Sequence, residues 1–236
     1  MNLDVLPDPE SVARRGAGLI AAAAREIVSA RGRFSVAVSG GTTPWQMLRA
    51  LADEEVPWGG VHVLQVDERV APDGDPDRNL THLRESLLER APLPPEQLHA
   101  MPVGDADLEA AAAHYARTLE EVAGAPPVLD LVHLGLGPDG HTASLVPGDA
   151  VLEVRDVDVA LTDQPYQGRR RMTLTYPLLD RARRLLWLVT GSSKVEMLRR
   201  LCDGDASIPA GRVTQGNAVV LADRAAAGRV SSERGR

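Results

Sequence analysis

The chain has 236 residues, of which 44% are hydrophobic and only 3% aromatic, and its formal net charge is −7. This length suits one large domain, whose core has to be built mainly from Ala, Val and Leu. A negative charge without a sustained basic stripe argues against a nucleic-acid partner, and no uncharged apolar run approaches the ~20 residues that a membrane span needs.

Cysteine usage and the start of the chain bear on the compartment. The single cysteine, Cys202, excludes a disulfide within the chain and argues against a cysteine-based metal site. Residues Met1 to Asp4 show neither the basic nor the apolar segment of a signal peptide. We therefore expect a soluble, cytoplasmic protein without a membrane partner. No motif specifies an oligomeric state, and we expect a monomer.

The first elements along the chain are predicted to be a helix, a strand and a second helix. Residues Pro9 to Ala30 carry apolar side chains at near-helical spacing, and Asp8 is the expected N-cap. The mostly apolar run Phe34 to Val38 predicts a buried strand. A glycine-containing loop then leads into a helix predicted from Pro44 to Asp53.

The same alternation continues to the end of the chain. Further strands are predicted at Val61 to Val66, Leu129 to Leu134, Val157 to Leu161, Arg171 to Thr175, Leu185 to Thr190 and Ala218 to Leu221. Further helices are predicted at about Leu80 to Arg90, Asp107 to Val122 and after Lys194 to Leu201, with a short helix behind the last strand. Alternating strands and helices predict an α/β fold: a doubly wound, mainly parallel sheet with helices on both faces, a Rossmann-like three-layer sandwich. We expect a single domain over residues 1–227 and a disordered tail over residues 228–236.

The loop Ser39-Gly40-Gly41-Thr42-Thr43 ends a predicted strand and opens a predicted helix. Backbone N–H groups at a helix start, together with the helix dipole, form an anion site, and the three hydroxyls add donors. The spacing matches neither a P-loop nor a dinucleotide fingerprint. A small phosphate monoester therefore fits this loop best.

Two further strand ends carry charged residues. Asp67-Glu68-Arg69 follows the strand predicted to end at Val66, and it offers a carboxylate to a sugar hydroxyl and a guanidinium to a phosphate. The role of Glu68 stays open at this point. Lys194, the only lysine among 26 basic residues, follows another strand and a glycine, where an ammonium would meet a phosphate dianion. One of Arg169, Arg170 and Arg171, which precede a strand, is expected to reach the same anion, and we favour Arg171.

The stretch Leu134-Gly-Leu-Gly-Pro-Asp-Gly-His-Thr-Ala-Ser-Leu145 joins an acid and an imidazole in a glycine turn after a strand. Asp139 and His141 are two residues apart, so that one is able to orient the other. The carboxyl ends of parallel strands are the usual place for catalytic residues in open α/β sheets. All of these predicted strand ends therefore point to one site.

These motifs, together with Arg171-Met-Thr-Leu-Thr-Tyr-Pro177 and Val189-Thr-Gly-Ser-Ser-Lys194, resemble the 6-phosphogluconolactonase family over about Val36 to Arg224. The resemblance implies hydrolysis of a phosphosugar lactone in the oxidative pentose phosphate pathway, without metal or organic cofactor. It implies that His141 is the general base and that the Ser39–Thr42 loop, Arg69 and Lys194 hold the phosphate.

In this interpretation a water held by neutral His141 attacks the lactone carbonyl, because a histidine is both largely neutral and basic near pH 7. Asp139 or Asp67 orients the imidazole, and the sequence leaves these two alternatives open. Backbone N–H groups of the glycine turn are expected to stabilise the oxyanion.

Two other functions are weighed against this one. The sister family of glucosamine-6-phosphate deaminases has a functional glutamate just before the proline that ends the corresponding motif. Here Val146 occupies that position, before Pro147, which favours the lactonase. A sugar-phosphate-sensing module without catalysis is the third possibility, and it is disfavoured because the chain has no room for a separate DNA-binding or partner domain.

Overall fold

The computed structural model describes residues 1–228, in which the strands form two sheets. The strands are β1 (Asn2–Leu6), β2 (Phe34–Val38), β3 (Val61–Gln65), β4 (Asp67–Arg69), β5 (Leu98–His99), β6 (Leu131–Gly135), β7 (Val159–Leu161), β8 (Arg171–Leu174), β9 (Leu185–Val189) and β10 (Ala218–Asp223). The α-helices are α1 (Pro9–Arg31), α2 (Thr42–Ala52), α3 (Asn79–Leu83), α4 (Leu108–Ala123), α5 (Tyr176–Arg181), α6 (Val195–Cys202), α7 (Pro209–Arg212) and α8 (Arg224–Ala227).

The larger sheet has seven parallel strands in the order β1-β10-β9-β6-β2-β3-β5. From β2 the chain continues to β3 and β5 on one side, whereas from β6 it continues to β9 and β10 on the other. The order therefore reverses between β2 and β6. In open α/β sheets, ligands bind in the crevice that such a reversal opens at the carboxyl ends of the strands.

Side chains of the central strands alternate between two apolar cores, one on each face of the sheet. On β9, Leu186 and Leu188 pack in the core that contains the buried faces of α1, α2 and α3. Leu185, Trp187 and Val189 pack in the core that contains the buried residues of α4 to α8. Because successive strand residues point to opposite faces, nearly continuous apolar runs are needed here. The predicted three-layer α/β fold is confirmed.

The long first helix shows why the sequence signals at its ends were informative. The carboxylate of Asp8 accepts a hydrogen bond from the Ser11 amide at 2.7 Å, so it caps α1 as expected. At the other end Gly32 adopts a left-handed conformation with φ 75°, and its N–H donates to the carbonyl of Val28. These local groups fix the helix bounds within one residue of the prediction.

The structure differs from the prediction in the strands that lack a long apolar run. The edge strands β1 and β5 were not predicted, since β1 carries polar side chains and β5 has only two residues. The predicted strands around Val159–Leu161 and Arg171–Leu174 do not join the main sheet. They pair with Asp67–Arg69 in a separate antiparallel sheet of order β4-β8-β7. The Asp67-Glu68-Arg69 triplet therefore is a strand of its own and not the end of β3.

Three further points concern the helices and the end of the chain. Helix α2 begins at Thr42, two residues earlier than predicted, which places the whole second half of the glycine loop in its first turn. Within residues 1–228, no helix combines the length and the apolar character needed to cross a bilayer. Apart from Gly228, the predicted tail lies outside the described residues.

Candidate active site

A cleft of about 440 Å³ lies at the carboxyl ends of β2, β6 and β9, where the strand order of the main sheet reverses. The predicted site residues that line it are Ser39, Gly40, Gly41, Thr42, Asp67, Arg69, His141, Arg171 and Lys194. Asp139 does not line the cleft but contacts His141. Residues from five separate segments of the chain therefore meet in one place.

Asp139 and His141 form a close pair in the turn that follows β6. Oδ1 of Asp139 lies 2.5 Å from Nδ1 of His141 and also accepts the His141 backbone N–H at 3.2 Å. The hydrogen bond with His141 holds the pKa of Asp139 well below its usual range, so the carboxylate is ionised and acts only as an acceptor. Nδ1 of His141 must then carry the proton. In the neutral ring this leaves Nε2, which has no partner among residues 1–228, as the basic nitrogen.

Gly137 is required by the packing of this pair. A Cβ atom on Gly137 would lie 2.1 Å from Nδ1 of His141 and 2.7 Å from Oδ1 of Asp139. The turn is also closed by its own backbone, because the Gly137 N–H donates to the carbonyl of His141 at 2.8 Å and the Gly140 N–H donates to Gly137 at 3.1 Å. These two amides are therefore occupied, and the expectation that the glycine turn stabilises an oxyanion does not hold for them.

In the loop after β2, two of the three predicted hydroxyl donors are bonded within the protein and turn away from a ligand. Ser39 is buried, and its hydroxyl donates to the carbonyl of His133 at 3.0 Å while its N–H donates to Nδ1 of His133 at 3.2 Å. The hydroxyl of Thr43 is bonded to that of Thr190 at 2.7 Å. Among the three predicted donors only Thr42 is exposed, at the first turn of α2. Gly40 is needed because a Cβ there would lie 2.0 Å from Oδ1 of Asn79.

Arg69 and Arg171 place two positive charges in the cleft from paired positions of the small sheet. Arg69 on β4 is paired with Arg171 on β8 in the antiparallel register, so their side chains lie on the same face. NH1 of Arg69 donates to the carbonyl of Asp77 at 2.6 Å, whereas Arg171 is nearly buried and its NH1 lies 3.9 Å from Oδ2 of Asp67. In both arginines Nε is buried without a hydrogen-bond partner among residues 1–228.

Lys194 supplies a third cation from the other side of the cleft. It closes a short 3₁₀-helix, Ser192–Lys194, between β9 and α6, and the turn before it is held because the Gly191 N–H donates to the carboxylate of Asp223. Burial lowers the pKa of Lys194, and the charge of Asp139 opposes that shift. Its ammonium makes no hydrogen bond or ion pair within residues 1–228, so that it is available to an anion.

Asp67 connects the segments around the cleft. Its Oδ2 accepts from the hydroxyl of Ser144 at 2.7 Å, its backbone carbonyl accepts from Nδ2 of Asn79 at 2.9 Å, and Arg171 lies nearby. The structure therefore distinguishes the two carboxylates that the sequence left open as partners of the imidazole. Asp139 contacts His141, whereas Asp67 contacts Ser144 and Asn79.

Glu68 points away from the cleft, because alternate residues of a strand face opposite sides. It is fully buried and accepts four hydrogen bonds, from Nε2 of Gln65 and from the amides of Arg69, Asn79 and Leu80, at 2.7 to 2.9 Å. Nε of Arg78 lies 3.4 Å from the same carboxylate. Glu68 thus caps the start of α3 and fixes the segment that carries Asn79.

The three consecutive arginines before β8 have different surroundings. Arg169 pairs with Asp75 and Asp77 at 3.1 and 3.3 Å, and Nε of Arg170 donates to the carbonyl of Thr162 at 3.2 Å. Arg171 is the one that lines the cleft. No group of three or more His, Cys, Asp or Glu side chains within residues 1–228 is arranged to hold a metal ion.

Sequence reasoning missed three residues that support the site. His133 lies within the apolar strand β6 and supports Ser39, and Gln167 lines the cleft. Tyr166 donates its phenol proton to Oδ2 of Asp139 at 3.0 Å. None of them belongs to a charged or glycine-rich motif. A polar residue inside an apolar strand was the only available signal, and it applies to His133 alone.

Comparison with known proteins identifies the same family that the sequence motifs resemble. Residues 7–222 match the model of the family described as glucosamine-6-phosphate isomerases/6-phosphogluconolactonase. A 6-phosphogluconolactonase of Nostoc is 36% identical over 196 residues, which cover 81% of each chain. A 6-phosphogluconolactonase of Mycobacterium bovis is 35% identical, covering 98% of this chain and 99% of its own.

Solved structures show the same fold. The 6-phosphogluconolactonase of Thermotoga maritima superimposes with a TM-score of 0.84 at 27% identity, over 94% of this chain and 98% of its own. A monomeric glucosamine-6-phosphate deaminase superimposes almost as well, with a TM-score of 0.83 at 20% identity over 96% and 99% of the two chains. The fold alone therefore does not separate the two activities.

Replacing Gly137 with Ala tests whether the Asp139–His141 geometry depends on the missing side chain. The added Cβ displaces the imidazole, and a misplacement of about 1 Å is expected to lower turnover roughly 100-fold. Steady-state kinetics of the purified variant, with the phosphosugar lactone that the motifs imply as substrate, measure this fall in turnover. Gly104→Ala, where a Cβ meets nothing within 4 Å, is the matched control and keeps full activity. Unchanged turnover in Gly137→Ala would show that the pair tolerates displacement.

The buried His133 predicts a pH dependence of stability. Burial lowers its pKa to about 3, so below the ordinary histidine value the unfolded chain binds a proton that the folded chain does not. The free energy of unfolding therefore falls as the pH falls from about 6.5 toward 3, by up to about 1.4 kcal/mol per pH unit from this residue.

Urea unfolding at a series of pH values compares the parent chain with His133→Gln, which keeps an acceptor for the Ser39 N–H. The variant is expected to lose less stability on acidification. Replacement of the exposed His114 with Gln should leave the slope unchanged. If the free energy of unfolding falls equally steeply with pH in the parent and in His133→Gln, then His133 is not the source of this pH dependence.

Proposed function

The chain belongs to the family of glucosamine-6-phosphate isomerases and 6-phosphogluconolactonases, and from this premise we propose that it hydrolyses 6-phospho-D-glucono-1,5-lactone to 6-phospho-D-gluconate. This reaction is a step of the oxidative pentose phosphate pathway. The observation that carries the proposal is the Asp139–His141 pair at the edge of a cleft lined by three cations. A base and an anion-binding surface in one cleft suit a phosphorylated substrate whose reacting carbon lies away from the phosphate.

The proposed general base is His141, acting through Nε2. Because Nδ1 donates to Asp139, Nε2 is the nitrogen that accepts a proton from a water molecule as this water attacks C1 of the lactone. The carboxylate of Asp139 stabilises the imidazolium that forms. The imidazolium then returns its proton to the ring oxygen as the C1–O bond breaks, so the base is regenerated. Asp67 holds Ser144 and Asn79 in place around the reacting groups.

The phosphate is proposed to bind between Arg69, Arg171 and Lys194, next to the amides of Gly40, Gly41 and Thr42 at the start of α2. Within residues 1–228, Nε of Arg69, Nε of Arg171 and the ammonium of Lys194 have no hydrogen-bond partner, which favours a dianion there, and the positive end of α2 adds to them. Binding energy at this remote group positions C1 against the water. The mechanism requires no metal and no organic cofactor, since a lactone carbonyl is already electrophilic and the histidine activates the water.

The nearest alternative is the deamination of glucosamine 6-phosphate, which a protein of the same fold carries out. In the sister family a functional glutamate precedes the motif proline, but here Val146 is buried at that position and provides no carboxylate. This difference favours the lactonase. We further propose a monomeric cytoplasmic enzyme, on the basis of its single cysteine and the lack of any motif for assembly.

Replacement of His141 with Ala tests the base. The rate constant for the chemical step is expected to fall roughly 10²- to 10⁴-fold, because general base catalysis contributes about this much. The measurement is the hydrolysis of freshly prepared 6-phosphogluconolactone above its spontaneous rate. Unchanged turnover would remove His141 from the mechanism.

The same preparation of the parent chain is assayed for ammonia release from glucosamine 6-phosphate, and none is expected. Deaminase activity without lactonase activity would replace the proposed function by its alternative. Binding of 6-phosphogluconate without turnover of either substrate would identify a non-catalytic sugar-phosphate module.

Replacement of Lys194 with Ala tests phosphate binding. Loss of one charge-assisted contact is expected to lower kcat/KM for the phosphorylated lactone roughly 10- to 100-fold, mainly through a higher KM. Hydrolysis of unphosphorylated gluconolactone is the internal control and should change little. Ser193→Ala, at an exposed neighbouring position outside the cleft, controls for the loop. An equal effect on both lactones would contradict a phosphate role.

A further inference from the structure

Tyr166 is fixed by a tight turn beside the cleft. It lies in the connection between β7 and β8, where its N–H donates to the carbonyl of Arg169 at 2.9 Å. Its own carbonyl accepts the N–H of Arg169 at 3.4 Å. The two residues between them, Gln167 and Gly168, have φ of 52° and 82°. Positive φ at both central positions is typical of a type I′ hairpin turn, which holds the flanking residues in a defined register.

The phenol of Tyr166 contacts the proposed catalytic pair directly. Its hydroxyl donates to Oδ2 of Asp139 at 3.0 Å, while Oδ1 of the same carboxylate is bonded to His141. Each carboxylate oxygen therefore has its own donor, which prevents rotation of the carboxylate. The ring also packs edge-to-face on the imidazole, with centroids 5.2 Å apart and planes at 67°.

The same residue contacts the anion-binding side of the cleft. The guanidinium of Arg171 lies over the Tyr166 ring, 5.0 Å from its centroid. NH2 of Arg171 also donates to the backbone carbonyl of Tyr166 and to Oε1 of Gln167, at 3.4 and 3.2 Å. Tyr166 is thus in contact with both the proposed base and a proposed phosphate ligand.

We propose that Tyr166 is a positioning residue that couples the binding of the substrate phosphate at Arg171 to the orientation of His141 through Asp139. The identity of the substrate in this inference rests on the proposed function, whereas the contacts of Tyr166 do not depend on it. An anion that attracts the Arg171 guanidinium shifts the Tyr166 ring and the turn that carries it. The Tyr166 hydroxyl then shifts the Asp139 carboxylate to which it is bonded. Tyr166 itself does not exchange a proton with the substrate.

The hydrogen bond from Tyr166 has a defined effect on the pH profile. Burial and the bond to Asp139 raise the pKa of Tyr166, so it stays a neutral donor over the working range. Its donation takes up part of the carboxylate charge that would otherwise stabilise an imidazolium. Among residues 1–228, the charge of Lys194 acts on Asp139 and the guanidinium of Arg171 lies over the Tyr166 ring, and both cations remain when the phenol hydroxyl is removed. Loss of the hydroxyl is therefore expected to move the acid limb of kcat/KM to higher pH.

The test compares Tyr166→Phe, which keeps the ring, with Tyr166→Leu, which removes both ring contacts. In Tyr166→Phe we expect kcat for the phosphorylated lactone to fall roughly 3- to 10-fold and kcat for the unphosphorylated lactone to fall less, because the phenol no longer passes the effect of the phosphate to Asp139. KM should stay nearly unchanged, and the acid limb of kcat/KM should move to higher pH. In Tyr166→Leu the preference for the phosphorylated lactone should also decrease. Tyr176→Phe is the matched control, because its phenol donates to the carbonyl of Pro209 and its ring lies under Arg155, away from the cleft.

An NMR titration of the His141 imidazole in the free protein gives a readout that does not depend on lactone turnover. A titration shifted upward in Tyr166→Phe supports the coupling even if the parent chain proves inactive on the lactone, in which case only the proposed function fails. A folded Tyr166→Phe with an unchanged titration and an unchanged pH profile overturns the inference. So does a Tyr166→Phe defect confined to KM for the phosphorylated lactone, because the phenol would then act on the anion alone.

Discussion

The site depends on the reversal of strand order between β2 and β6. In a parallel sheet all carboxyl ends lie at one edge, and the reversal sends the following helices to opposite faces, which leaves a crevice between the two strands. The loop after β2 provides backbone amides and the turn after β6 provides an acid and an imidazole. Neither segment forms a site alone, and their separation is set by the hydrogen bonds between β2 and β6.

The small antiparallel sheet completes the cleft, and buried charges hold it there. Asp67 bonds Ser144 of the motif after β6, while Glu68 receives four hydrogen bonds and has Arg78 beside it. A buried carboxylate is tolerated only when its oxygens are satisfied, and removal of its partners is strongly destabilising. Alternation along β4 thus assigns Asp67 and Arg69 to the cleft and Glu68 to the supporting network.

The comparison with a deaminase of the same fold shows that the fold by itself leaves the activity open. The two chains superimpose over nearly their whole length, so they share the same arrangement of sheet and helices. Individual side chains then decide which chemistry the crevice supports. The buried Val146 and the contacts of Tyr166 with both Asp139 and Arg171 are local features that the backbone does not dictate.

The sequence by itself determined the alternation of strands and helices, the glycine loop after β2, the Asp139–His141 turn and the position of Lys194. These features have local causes: apolar periodicity, glycine in turns, and polar residues directly after a strand. The tertiary structure alone decided that Arg69 lies opposite Arg171, that Asp67 bonds Ser144 and Asn79 instead of the imidazole, and that the Ser39 hydroxyl turns inward to His133. These contacts join residues far apart in the chain or depend on which face of a strand a side chain occupies. No periodic pattern records them, because they arise only when separate segments pack together.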